Sequence, residues 1–242
     1  MIVEICANSF ESALAAQEGG ARRIELCSEL SVGGLTPSYG LLKKVLNELT
    51  IPVHVLIRPR SGDFSYTPAE MDIMLADIAL CKELGCDGVV SGVLNTDNTI
   101  DMEAIKLLIK EASTLQFTFH RAFDWVMNPL KALDQLKELK VHRLLTSGQK
   151  NSAVEGIELL KELKTRSEDI LEIMPGGGIN YTNASLFKSN GFSAIHLSAT
   201  TKHQTLSNKL LVSMHNSALF EEGIVPQTDS EMVRNVVDLV KK

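Results

Sequence analysis

The chain has 242 residues, 44% of them hydrophobic and 22% charged, and a formal net charge of -6. Those values describe a folded domain with a sizeable core and exclude disorder, which needs few apolar residues and high charge. The balance of 24 Lys and Arg against 30 Asp and Glu argues against a nucleic-acid partner, and no apolar run approaches the roughly 18 to 20 residues of a membrane span.

The amino terminus, Met1-Ile2-Val3-Glu4-Ile5-Cys6, carries a carboxylate where a secretory signal has its basic segment, so a cytoplasmic location is expected. Short β-branched runs then alternate with amphipathic stretches. The runs begin near Ile2, Arg23, Val53, Asp87, Gln116, His142, Ile170 and Ser193, at a mean spacing of about 27 residues, the size of one βα unit. Helix starts follow the strands. Asn8 with Glu11, Thr67 with Pro68 and Glu70, and Ser152 with Glu155 have capping-box spacing, and Thr36-Pro37 and Asn128-Pro129 read the same way. Gly19-Gly20, Gly85 and Gly191 are placed as helix stops.

This series predicts one α/β domain over 1-242, a (β/α)8 TIM barrel with its core in 1-200 and a C-terminal loop and last helix in 201-242. The segment Thr201 to Gln227 exceeds ordinary connection lengths and reads as a lid or an interface loop, with the last helix capped near Thr228 or Asp229.

A barrel places its site at the carboxyl ends of its strands, and period-two alternation sorts which side chains share a face. Glu4 and Cys6 share one in the first strand, and Glu25 and Cys27 in the second, so both carry a Glu-x-Cys unit. A carboxylate inside a barrel needs a partner. Arg58 and Arg60 end the third strand, and Thr118 and His120 run into Arg121 and Asp124 after the fifth. Glu4, Glu25, Arg58 and His120 read either as a buried ion network or as a ligand site.

Gly176, Gly177 and Gly178 follow the seventh strand and Ser198 ends the eighth, where barrels often hold phosphate. The alternative is a tight turn. Thr146 and Ser147 offer further hydroxyls. All four cysteines read as reduced thiols, with Cys81 and Cys86 packing beside Gly85. Cys6 and Cys27 read as packing residues or, if the two Glu-x-Cys units lie in register, as ligands for a soft ion such as Cu(I). A divalent metal on Glu4, Glu25 and His120 is a further variant. His142 and His215 read as ordinary histidines.

Val3 to Cys6, Arg23 to Cys27, Gly33 to Gly40, Ile57 to Phe64, Thr118 to Asp124, Leu145 to Gly148 and Pro175 to Gly178 together resemble the CutC family of copper homeostasis proteins, in order over residues 1 to about 200. The resemblance implies a cytoplasmic TIM barrel that forms homo-oligomers, with a dimer favoured. It implies Cu(I) binding on Cys6 and Cys27, and a cleft made of Glu4, Glu25, Arg58, His120, Arg121 and Asp124. The physical reading adds an alternative: a hydrolase, lyase or isomerase acting on a small anionic or phosphorylated compound. Arg58 and the Gly176 to Gly178 loop would hold the anion, and His120 with Glu4 or Glu25 would move protons.

Overall fold

The computed structural model describes residues 1–208, 212 and 222–241, so His215 lies outside the described residues. Eight parallel strands form the barrel: β1 (Ile2–Ala7), β2 (Arg23–Leu26), β3 (Val53–Leu56), β4 (Gly88–Ser91), β5 (Gln116–Phe119), β6 (Arg143–Thr146), β7 (Glu172–Pro175) and β8 (Ala194–Leu197). Each pairs with its successor as far as β7, and β1 also pairs with β8. Between β7 and β8 the described residues form one bridge, Gly176 to His196, so the barrel closes at its carboxyl end.

The helices are α1 (Phe10–Glu18), α2 (Tyr39–Glu48), α3 (Pro68–Leu84), α4 (Met102–Ala112), α5 (Pro129–Glu138), α6 (Ile157–Ser167), α7 (Ala184–Ser189) and α8 (Ser230–Lys241). Thr67 and Glu70 form the expected reciprocal box at α3, and Asn128 accepts from the Lys131 amide at α5. Three starts move. Ser9 caps α1 and Ser38 caps α2, because those hydroxyls are the ones that reach the third helical amide. Ser152 does bind the Glu155 amide, but in a turn ahead of α6. That turn is held against the loop after β6, where a Cβ on Gly156 would lie 1.9 Å from the Ser147 carbonyl oxygen.

Among the described residues, apolar side chains pack in three groups, one of them Leu145, Met174 and Ala194. Ile5, Ile24, Val55, Val89, Phe117 and Leu144 face outward under the helices, while Cys6, Cys27, Leu56 and Val90 make a smaller group inside the barrel. The helix side carries most of the core, so the interior is free to hold polar groups.

The long segment after β8 is not all loop. Thr200–Gln204 (β9) pairs antiparallel with Ile224–Thr228 (β10), a ladder hidden in the sequence because its strands are far apart. Helix α8 then buries Val233, Val236, Val237 and Val240 between α1 and α7, which makes it the eighth helix of the ring. The docking is tight: a Cβ on Gly19 would lie 2.5 Å from Val233 Cβ and 2.7 Å from the Ser230 carbonyl oxygen. Gly19→Ala is therefore expected to cost about 1–3 kcal/mol by overpacking. Urea denaturation should show a lower midpoint at an unchanged slope. Among the described residues no helix is long and apolar enough to cross a membrane.

Candidate functional site

Strand parity puts Glu4 inside the barrel, and the register decides its neighbours. Glu4 stands beside Arg23 on β2 and His196 on β8. Arg23 Nε donates to Glu4 Oε2, and His196 Nδ1 lies 2.8 Å from Glu4 Oε1. The carboxylate is 1% exposed, so its charge depends on these two cations. Burial pushes its pKa up, but His196 and Arg23 together outweigh burial and hold it well below the usual range. Arg58, expected as a partner for Glu4 or Glu25, is engaged elsewhere.

One layer nearer the carboxyl end, Cys6 stands opposite Glu25, so the two Glu-x-Cys units are not aligned. The stagger of a barrel still brings the sulfurs together diagonally. Cys6 Sγ is 3.5 Å from Cys27 Sγ and 3.7 Å from Glu25 Oε1. Donor atoms of Cys6, Glu25 and His196 all lie within 4.8 Å of one another. Among the described residues this is the one such group of three, and it does not include Glu4 or His120, so the divalent set expected from sequence is not assembled. Contact with Cys27 and burial push the Cys6 thiol up. Burial also raises Glu25, with Glu4 adding to it. His196 would be lowered by burial, but Glu25, Cys6 and Glu4 raise it well above its ordinary value.

Above this layer opens a cleft of about 680 Å³ whose wall includes Cys6, Glu25, Arg58, Phe64, His120, Arg121, Asp124, Trp125, Gly177, Gly178, His196 and Ser198. Most of the expected site residues thus meet in one place, in different roles. Arg58 donates from Nη1 to the carbonyls of Val32 (2.7 Å) and Gly34 (2.9 Å) and from Nη2 to Gly62 (3.2 Å), and it lies 5.0 Å from the Phe64 ring centre. Its guanidinium staples two loops through Nη1 and Nη2, while its buried Nε has no partner among the described residues. Asp124 accepts from the Thr146 hydroxyl, the amides of Ser147 (3.0 Å) and Gln149 (3.1 Å), and Arg121 Nε (2.8 Å). That saturation makes it a positioning residue.

His120 Nδ1 accepts from the Ala122 amide at 3.2 Å, which leaves the proton of the neutral ring on Nε2. Burial, and then Arg58, lowers its pKa to about 3. Gly176 is set apart from its neighbours: its amide continues the ladder to the Thr146 carbonyl, and a Cβ there would meet Leu145 at 2.5 Å. Ser198 Oγ shares a hydrogen bond with Thr200 Oγ1 at 3.3 Å. Sequence reasoning passed over Arg23 and His196. Arg23 precedes Glu25 by two residues on the same face, and that parity was a sufficient signal. His196 needed the closure of the barrel.

A model of the CutC family matches residues 1–201. The chain belongs to the CutC family. A CutC family protein of Pasteurella multocida is 47% identical with all of both chains covered, and one of Enterobacter sp. (strain 638) is 48% identical over 82% of this chain and 80% of its own. The crystal structure of CutC from Streptococcus agalactiae, named for copper homeostasis, superposes with a TM-score of 0.78 at 36% identity, covering 82% of this chain and 98% of that one. Phosphoribosylanthranilate isomerase of Thermotoga maritima, at 14% identity and a TM-score of 0.59 over 100% of this chain and 99% of its own, shares the barrel fold alone. The CutC match spans the strands that carry Glu4, Cys6, Arg23, Glu25, Cys27 and His196.

Proposed function

We propose that this CutC chain serves copper homeostasis by binding one Cu(I) ion, as cargo, between Cys6 and Cys27. The observation that carries the reading is the 3.5 Å separation of two buried sulfurs on neighbouring strands. That is far beyond the roughly 2.05 Å of a disulfide, yet short enough for both sulfurs to reach one ion at about 2.3 Å each. Thiolates are soft donors suited to monovalent copper, and an imidazole is a compatible third. His196 is oriented for that role because Glu4 holds its Nδ1, the carboxylate–histidine arrangement found behind many metal ligands. The name of the Streptococcus agalactiae relative supports the same reading. Free thiols fit a reducing, cytoplasmic compartment.

Binding has a proton cost. The raised Cys6 thiol and the raised His196 ring are both protonated in the free protein, so uptake of the ion on these donors releases protons and affinity rises with pH. The test is an anaerobic titration against a chromophoric Cu(I) chelator. The parent chain is expected to take one ion, and Cys6→Ser with Cys27→Ser to lose it. Cys81→Ser with Cys86→Ser should retain it. Equal affinity in the parent and the Cys6, Cys27 double variant would overturn the assignment.

A further inference from the structure

The copper site uses the sulfur floor of the cleft and leaves its outer wall without a role. We propose that this wall binds a small organic anion with a flat apolar body, its charge on Arg121 and a hydrogen-bond acceptor on His120 Nε2.

His120 is 5% exposed, lines the cleft, and has no partner for Nε2 among the described residues. A buried donor left unmade is costly, and native structures keep few of them. With Nδ1 taken by the Ala122 amide, the ring presents Nε2–H and calls for an acceptor. The ring stays neutral near pH 7 because burial and the Arg58 charge disfavour protonation. Glu25 Oε2 and Arg58 Nε, on two other cleft-lining residues, also lack partners among the described residues.

The charge of the ligand follows from Arg121. Its Nε is held by Asp124 at 2.8 Å and its Nη2 by the Ser147 hydroxyl at 3.0 Å, while Nη1 has no acceptor among the described residues. Asp124 divides its charge among four other donors, the hydroxyls of Thr146 and Ser147 and the amides of Ser147 and Gln149, so the guanidinium is fixed in place but only partly neutralised. A Cβ on Gly177 would stand 3.5 Å from Arg121 Cζ and Nη1, and its φ of +108° is one that side chains rarely adopt. Glycine there leaves the edge of the guanidinium open. A guanidinium held this way loses little freedom on binding an oxyanion.

The apolar body follows from Phe64 and Trp125. Their rings meet edge to face at 4.8 Å, both line the cleft, and Trp125 remains 49% exposed. Phe64 also packs on His120 at 4.9 Å, so the apolar plate adjoins the unpaired donor. A volume of about 680 Å³ suits a ligand of metabolite size.

Trp125 is the only tryptophan of the chain, so its emission reports occupancy directly. Metal-free protein would be titrated with phenyl phosphate, benzoate, inorganic phosphate and phenol at ionic strength matched with sodium chloride. Phenyl phosphate or benzoate is expected to change the emission saturably and to bind at least about tenfold more tightly than inorganic phosphate or phenol, each of which lacks one half of the ligand. The tighter of the two assigns the anion as a phosphate or a carboxylate. Arg121→Gln should weaken that ligand on the order of ten- to a hundredfold, and His120→Phe roughly two- to tenfold. Melting temperatures of the free variants check folding, and Arg121→Gln, on a half-exposed side chain, carries the test if His120→Phe does not fold. Emission that responds to neither aromatic anion beyond phenol, or Arg121→Gln binding as tightly as the parent, would overturn the proposal.

Discussion

Arg23→Leu is expected to destabilise the fold by about 3–5 kcal/mol, the largest single effect among the polar residues of the barrel interior. The substitution removes one of the two cations that compensate Glu4, leaving a wholly buried carboxylate with His196 alone. The cost is one of an uncompensated charge and not of lost packing. Glu4→Leu combined with Arg23→Leu should therefore recover much of the loss, because apolar pairs often replace buried ion pairs at little net cost. Urea denaturation of the four proteins closes a double-mutant cycle, with a coupling of at least about 1 kcal/mol expected for residues in contact. A single variant within about 1 kcal/mol of the parent would mean that water or His196 already compensates Glu4.

Acid should weaken the protein well before its carboxylates titrate, and the cause should be histidine. His120 and His54 are both buried, and burial lowers each to about 3 from an ordinary 6.5. They fold neutral and unfold charged, so below about pH 6.5 the unfolded chain binds more protons, and stability falls with pH. The contribution of each is complete above 6.5 and is lost progressively toward 3, at about 1.4 kcal/mol per pH unit. Glu25, raised by burial, works in the opposite sense, because it is protonated more readily in the fold. Glu4, held low, contributes above 4.5 and loses that contribution only as pH falls toward its lowered value. Comparison of parent and His120→Phe isolates one group. The difference in unfolding free energy should change by about 1.4 kcal/mol per unit between roughly pH 6 and 4. A constant difference over that range would show that His120 is protonated in the native state.

The strand positions were legible because each strand of a parallel barrel is a short, β-branched run between turn signals, and every observed start lies within two residues of the one read from sequence. The Thr67 and Asn128 caps were legible for a local reason as well, since a cap needs only a hydroxyl or amide three residues before its donor. Parity also placed Glu4, Cys6, Glu25 and Cys27 inside the barrel. What parity cannot supply is stagger. Period two names the face of a side chain but not its height against the next strand, so whether Cys6 meets Cys27 or Glu25 depended on barrel shear.

Closure decided the rest. His196 meets Glu4 across 192 positions of sequence because β8 returns to β1, a contact that no local pattern encodes. Arg58 was read from its charge as a partner for carboxylates, but its reach to three backbone carbonyls depends on where two loops settle. The sequence by itself determined which residues could carry chemistry and that they would stand at one end of a barrel. Only the tertiary structure decided which of them touch, because register, shear and loop packing are long-range compromises among strands that the chain brings together late.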